Sequence, residues 1–135
     1  MPHPTRTIAA VALVWAASAG CAVAGPNAEA ASTVVTSFTS ALRSDDGARA
    51  CELLAPATRD SLEEQSGDRC DEAIVGLGLP TTETGSEPRS YGRQAQVRTA
   101  DDVLFLTRSG DTWLITAAGC APRRDRPYDC DLAAS

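Results

Sequence analysis

Apolar residues recur at helical spacing through the first half of the chain. Over residues 28–43 they define one stripe, which predicts a first helix. Residues 44–47 (SDDG) follow, and Ser and Asp in this position predict an N-terminal cap for the next helix, with the glycine easing the turn. That second helix carries Cys51 and Leu54 on one stripe, and Pro56 opens a further helical turn.

A third helix is predicted over residues 68–77, where Cys70 and Ile74 fall on the apolar stripe. Cys51 lies on the apolar stripe of its own helix, so packing the two stripes together brings the sulfurs within reach. We predict a Cys51–Cys70 disulfide, which stabilises the fold by about 3 kcal/mol in the chain-entropy estimate. Two free buried thiols are the alternative, and they are typical of the cytoplasm.

The period of the pattern falls to two after residue 90. Residues 78–90 are rich in Gly, Pro, Ser and Thr, and they predict a surface loop. Two turn signals follow, Asp-Asp at 101–102 and Ser-Gly-Asp at 109–111. They separate three predicted strands, which cover residues 91–98, 103–107 and 112–117.

Residues 103–107 are apolar on both faces, which predicts the central strand of a three-stranded meander. The helices cover one face of this sheet. The other face borders a pocket, the connecting loop or a second copy of the chain. The candidate pocket is lined by four aromatic residues: Phe38, Tyr91, Phe105 and Trp113. The expected fold is α+β, with N-terminal helices packed on a curved antiparallel meander.

The C-terminal tail contains two prolines, Pro122 and Pro127, which predict that no strand continues through it. Cys120 and Cys130 bracket this segment. Four cysteines allow three pairings, and we predict the local one, Cys120–Cys130, which holds the chain end against the sheet. Its stabilisation is again on the order of 3 kcal/mol before strain.

The N-terminus has the layout of a secretory signal peptide. An uncharged apolar run over residues 8–17 is followed by Ser-Ala-Gly and then Cys21. The run is roughly half the 20 residues that a membrane span needs. Small residues directly before a cysteine resemble the lipobox of bacterial lipoproteins, in which the cysteine receives a diacylglyceryl group and becomes the first mature residue. Cleavage after Ala24 is the alternative.

With lipidation at Cys21, the expected organisation is a signal peptide at 1–20, a short tether at 21–29 and one disulfide-stapled domain at 30–132. Two acyl chains give stable attachment, which predicts a protein on the outer face of a membrane. The other four cysteines would then lie in an oxidising compartment.

The charge composition excludes several classes of function. The formal net charge is −6, which disfavours nucleic acid as a partner. The chain has no lysine, and its one histidine, His3, lies in the leader. No histidine nucleophile pair, histidine metal site or Schiff base is therefore expected in the domain. The paired carboxylates at 45–46, 63–64 and 101–102 are interpreted as caps, turns and solvated charge, so we expect no enzyme, metal or cofactor.

Three segments, FTSALRSDDGARACELLAP, VLFLTRSGDTWLITAAGC and PYDC, resemble a group of small actinobacterial lipoproteins without an assigned activity. Helices followed by a curved antiparallel sheet also resemble the nuclear transport factor 2-like (cystatin-like) architecture. The resemblance covers most of residues 30–131, and it implies no catalytic residue.

These observations favour a membrane-anchored, non-catalytic interaction module that binds an envelope protein or another envelope component. A small-molecule or lipid pocket is the alternative, and a homodimer is a further form that the uncovered sheet face allows. The arginines at 123, 124 and 126 could grip a carboxylate or a phosphate, although Asp125, Asp129 and Asp131 lie beside them.

Overall fold

The structure is a computed structural model that describes residues 25–125 and 127–135. Helices come first and strands follow, so the fold class is α+β as predicted. The helices are α1 (Pro26–Arg43), α2 (Gly47–Glu52), α3 (Pro56–Ser66) and α4 (Cys70–Gly76). The strands are β1 (Glu87–Tyr91), β2 (Gln94–Arg98), β3 (Val103–Ser109), β4 (Thr112–Pro122) and β5 (Tyr128–Ala133).

Helix α1 begins at Pro26, so residues 26–29 are helical where the sequence predicted a tether. Proline is favoured at the first helical position because its φ is preset and its missing N–H would have no partner there. The carbonyl of Gly25 accepts the first bonds of the helix, from the N–H groups of Ala28 and Glu29. Ala28 and Ala31 are buried, so this first turn belongs to the packed domain.

Helices α2 and α4 pack closely because α2 begins with a glycine. A Cβ on Gly47 would lie 1.9 Å from the carbonyl oxygen of Asp71, so only glycine lets the two backbones approach this far. Asp46 caps α2 by accepting a hydrogen bond from the N–H of Arg49 at 3.0 Å, as the cap prediction required. The requirement for Gly47 is thus helix contact rather than turn geometry.

The five strands form one antiparallel sheet in the order β1-β2-β3-β4-β5, with β3 in the predicted central place. Two strands are corrections to the sequence prediction. Most of strand β1 lies in the predicted loop, and a turn at Gly92 (φ 60°) separates it from β2. The predicted strand 91–98 is therefore confirmed over residues 94–98, and it was wrong over residues 91–93. Strand β4 ends at Pro122 and β5 follows Pro127, so the prolines stand at strand ends, where a missing N–H is tolerated.

The main core fills the space between the helices and one face of the sheet. Its largest fully buried apolar side chains are Phe38, Leu54, Ile74, Leu104, Leu106, Ile115 and Leu132. The opposite sheet face, called here the outer face, carries a second, smaller cluster made only of strand residues. Its members are Val103, Phe105, Ala117, Cys120, Tyr128, Cys130 and Ala133. Among the described residues, no helix contributes to that cluster.

Both predicted disulfides are present. Cys51 in α2 pairs with Cys70 in α4, with 6.1 Å between the Cα atoms. Cys120 in β4 pairs with Cys130, its direct cross-strand partner in β5, with 4.0 Å between the Cα atoms. One bridge therefore fastens the helical layer, and the other joins the last two strands on the outer face.

Candidate functional site

The four aromatic residues predicted to share a pocket are not brought together. Phe38 and Trp113 are buried in the main core beneath the sheet. Phe105 lies on the outer face, and Tyr91 is 63 % exposed at the edge strand. The turn at Gly92 explains the error for Tyr91, because it pairs this residue with Gln94 rather than continuing the alternation to the buried Ala95.

Two cavities open on the outer face instead. The larger, about 290 Å³, lies at one end of the sheet between the β2–β3 turn and the paired ends of β4 and β5. The smaller, about 80 Å³, lies between β1 and β2. Arg98 lines both cavities, so they are neighbours on one surface.

Tyr128 stands at the centre of this surface. Its ring packs against Phe105 edge to face, with 4.9 Å between the ring centroids. The amide Nε2 of Gln96 donates to its hydroxyl oxygen at 3.0 Å, and the Nη2 of Arg98 donates to the same oxygen at 3.4 Å. Because this oxygen already accepts two hydrogen bonds, the hydroxyl proton of Tyr128 is available for a third partner.

Asp102 forms part of the wall of the larger cavity, yet only 6 % of it is exposed. Its carboxylate accepts hydrogen bonds from three backbone N–H groups: Val103 at 2.6 Å, Gly119 at 3.0 Å and Cys120 at 2.8 Å. Burial raises the pKa of Asp102 above its ordinary value, while these three bonds act in the opposite direction by favouring the charged form. The prediction of solvated charge at 101–102 is therefore wrong for Asp102.

A carboxyl group with a raised pKa in a cavity is the kind of group that acid–base catalysis uses. Here the three N–H bonds give Asp102 a structural role. They join the β2–β3 turn to the irregular part of β4, where Gly119 has a φ of 65°. Within residues 25–125 and 127–135, no group of three or more His, Cys, Asp or Glu side chains is placed to hold a metal ion.

Arg123 and Arg124 lie between β4 and β5. Arg123 pairs with Asp129, an ion pair with both side chains about half exposed, and Arg124 is exposed. Arg126 lies outside the described residues, as does the predicted lipidation site, Cys21. Of the three arginines predicted to bind an anion, at positions 123, 124 and 126, Arg123 therefore already pairs with a neighbouring carboxylate.

The sequence prediction missed Gln96, Arg98 and Tyr128 as site residues. A signal for the first two was present, because they alternate with the buried residues Ala95 and Val97 and so share the opposite face of β2. Tyr128 could not be placed because β5 was not predicted as a strand. Only the long-range β4–β5 pairing brings its hydroxyl to Gln96.

Comparison with protein-family models, with curated proteins and with solved structures found no match to this chain. Across the described parts of the chain, none of the helices combines the length and the apolar character that crossing a membrane requires.

Proposed function

We propose that this chain is an exported, lipid-anchored protein whose folded domain is a non-catalytic binding module at the outer face of the cytoplasmic membrane of an actinobacterium. The leader pattern before Cys21 supports export and anchoring. The two disulfides support an oxidising compartment, because such bridges are rare where thiols are kept reduced. The expected partner is an envelope component that carries hydrogen-bond acceptors.

The observation that carries the binding role is the outer face of the sheet. The helices fill the other face with the main core, whereas the outer face bears two neighbouring cavities that meet at Arg98. Donor groups from Gln96, Arg98 and Tyr128 converge there beside an aromatic pair. Polar donors around a partly apolar concavity are the usual composition of a ligand site.

A small-molecule pocket is the second candidate function, and the size of the larger cavity favours it. Its volume of about 290 Å³ is close to the roughly 300 Å³ at which the range for small-ligand sites begins. In that case the domain carries a free metabolite or lipid of the envelope instead of docking on a macromolecule.

The proposed fold family is nuclear transport factor 2-like (cystatin-like). The support is architectural: four helices precede a five-stranded antiparallel sheet, and the helices pack on one face of it. Proteins of one fold perform many functions, so the proposed binding role rests on the site and not on this assignment.

Site-specific crosslinking in native membranes tests the binding role. A photoreactive residue at position 87, which is exposed, lines the smaller cavity and is the cross-strand neighbour of Arg98, should capture an envelope component. The matched control places the same residue at Glu64, which is exposed on α3. Equal capture from both positions, or capture only from Glu64, would show that the outer face is not the binding surface.

A further inference from the structure

The chemistry of the surface around Arg98 identifies the class of ligand. Gln96 and Arg98 both donate to the oxygen of Tyr128, which leaves the tyrosine proton, a second amide proton and most of the guanidinium N–H groups without an acceptor in this cluster. A group that offers two acceptor oxygens and a negative charge would satisfy these donors. A planar carboxylate matches the fork of an arginine in this way.

The acidic side chains that line these two cavities form no direct ion pair with Arg98 in the described part of the chain. Asp102 directs its oxygens to three backbone N–H groups, and Asp101 accepts a hydrogen bond from the hydroxyl of Thr82. Glu87 is the cross-strand neighbour of Arg98 and shares the smaller cavity with it and with Arg89, so that cavity holds two cations and one anion. Within the described part of the chain, neither Arg89 nor Arg98 forms an ion pair.

The two cavities differ in size and lining, and this difference suggests the rest of the ligand. The smaller cavity, about 80 Å³ with charged and amide walls, suits one carboxylate. The larger cavity has Val103, Ala121, Pro122 and the ring of Tyr128 on its walls, and it suits a compact apolar body. The net charge of −6 disfavours phosphate dianions and polyanions more than a single carboxylate.

We infer that the outer face binds a monoanionic carboxylate attached to a compact apolar or aromatic body, with Arg98 as the charge partner and Gln96 and Tyr128 as positioning donors. This inference rests on the proposed function, because it names the ligand class of the same surface. The carboxylate can belong to a free small acid or to the C-terminus of an envelope polypeptide, and both present the same group to Arg98.

Titration of the purified, full mature protein with benzoate tests this inference, with benzamide as the neutral probe of the same shape. Side-chain NMR signals of Arg98 and Gln96 should shift and saturate with benzoate and should not respond to benzamide. Arg98→Gln should weaken benzoate binding about tenfold, the effect expected for a lost charge-assisted hydrogen bond. Tyr128→Phe keeps the ring and should weaken binding by a smaller factor.

The matched control is Arg93→Gln, which removes the same charge from the β1–β2 turn, at the other end of β2. It should leave benzoate affinity within a factor of about two, as expected for a distant surface charge.

Acetyl-phenylalanine and its amide test whether the carboxylate belongs to a polypeptide C-terminus. Tighter binding of acetyl-phenylalanine than of benzoate assigns the carboxylate to a chain end, and the reverse assigns it to a free small acid.

Three results would overturn the carboxylate site: no saturable response to either acid, equal binding by the Arg98→Gln variant, or stronger binding of phenyl phosphate than of benzoate. Failure of the proposed function would look different. If benzoate binds as expected but crosslinking from position 87 captures nothing in membranes, the carboxylate site stands and the envelope-docking role falls.

Discussion

The carboxylate of Asp102 accepts a hydrogen bond from the backbone N–H of Cys120 at 2.8 Å, which ties the β2–β3 turn to the strand that bears the second disulfide. Two further N–H groups donate to the same carboxylate, so one side chain satisfies three backbone donors at the end of the sheet. Replacing it tests how strongly this end of the sheet is held.

Asp102→Asn should lower the free energy of unfolding by about 1–3 kcal/mol, because the amide offers one acceptor oxygen where three N–H groups need acceptors. Urea denaturation at neutral pH measures the change. Asp111→Asn is the control, since Asp111 is fully exposed and its ion pair with Arg108 should contribute less than about 1 kcal/mol. Equal losses in the two variants would contradict the structural role of Asp102.

The same carboxyl predicts a pH dependence. Burial raises the pKa of folded Asp102 above the ordinary value of 3.8, so the folded state binds a proton more readily than the unfolded state. The favourable contribution of Asp102 to the free energy of unfolding is fully present below pH 3.8, and it is lost as the pH rises through the folded-state pKa of this carboxyl. The stability difference between wild type and Asp102→Asn should therefore grow on acidification, and the opposite slope would mean that the three N–H bonds outweigh burial.

The contact between α2 and α4 predicts a strong effect at Gly47. Gly47→Ala should destabilise the domain by about 1–3 kcal/mol, because the new methyl would overlap the carbonyl of Asp71 and separate the helices. Gly76→Ala is the matched control: it has open space around the added carbon, and it should be neutral or stabilising by up to about 1 kcal/mol. Thermal unfolding compares them, and a neutral Gly47→Ala would show that the helices can separate freely.

Removing the helix disulfide with Cys51→Ala and Cys70→Ala together should cost roughly 3 kcal/mol, since the unfolded chain loses a constraint over a separation of 19 residues. The Cys120–Cys130 bridge spans a separation of only 10 residues, so removing it with Cys120→Ala and Cys130→Ala should lower the free energy of unfolding by less. Denaturation under oxidising conditions compares the double variants. Peptide mapping without reduction provides the independent check, because a Cys51–Cys120 crosslink would contradict both assignments.

The proposed anchor predicts the mass of the native product. Intact-mass analysis should find a chain that begins at Cys21 and carries added acyl mass, and Cys21→Ser should abolish that mass and release the protein from membranes. A product that begins at Gly25 would support plain secretion instead. A chain that retains its first twenty residues would exclude export by this route.

Sequence periodicity was sufficient for the helices that carry Cys51 and Cys70 and for the central strand, because their burial is encoded locally. It predicted only one helical turn after Pro56, where α3 runs over Pro56–Ser66. The stripes that carry Cys51 and Cys70 predicted their pairing, and the doubly apolar strand at 103–107 predicted its central place. Edge strands carry a weaker local signal, since only one side pairs and prolines are tolerated at their ends. Strand β1 contains Pro88, and most of its residues were therefore predicted from the sequence to be part of a loop.

The candidate site was less predictable than the fold, because it depends on register and not on pattern. Asp102 has the composition of a surface turn, and only the bonds to Gly119 and Cys120 explain its burial. Tyr128 reaches Gln96 across strands that are separated by 32 positions in the chain. No local spacing encodes such a contact, so a three-strand prediction could not assemble the cluster.

The start of α1 at Pro26 determines how the domain would stand on a membrane. With an acyl group on Cys21, the intervening residues span at most roughly 17 Å even when fully extended. Asn27, in the first turn of α1, contacts Arg108 near the β3–β4 hairpin, whereas Arg98 pairs with Val103 at the other end of β3. The hairpin end would therefore rest near the lipid headgroups, and the mouth of the larger cavity would lie roughly 15–20 Å farther out, oriented toward the cell wall.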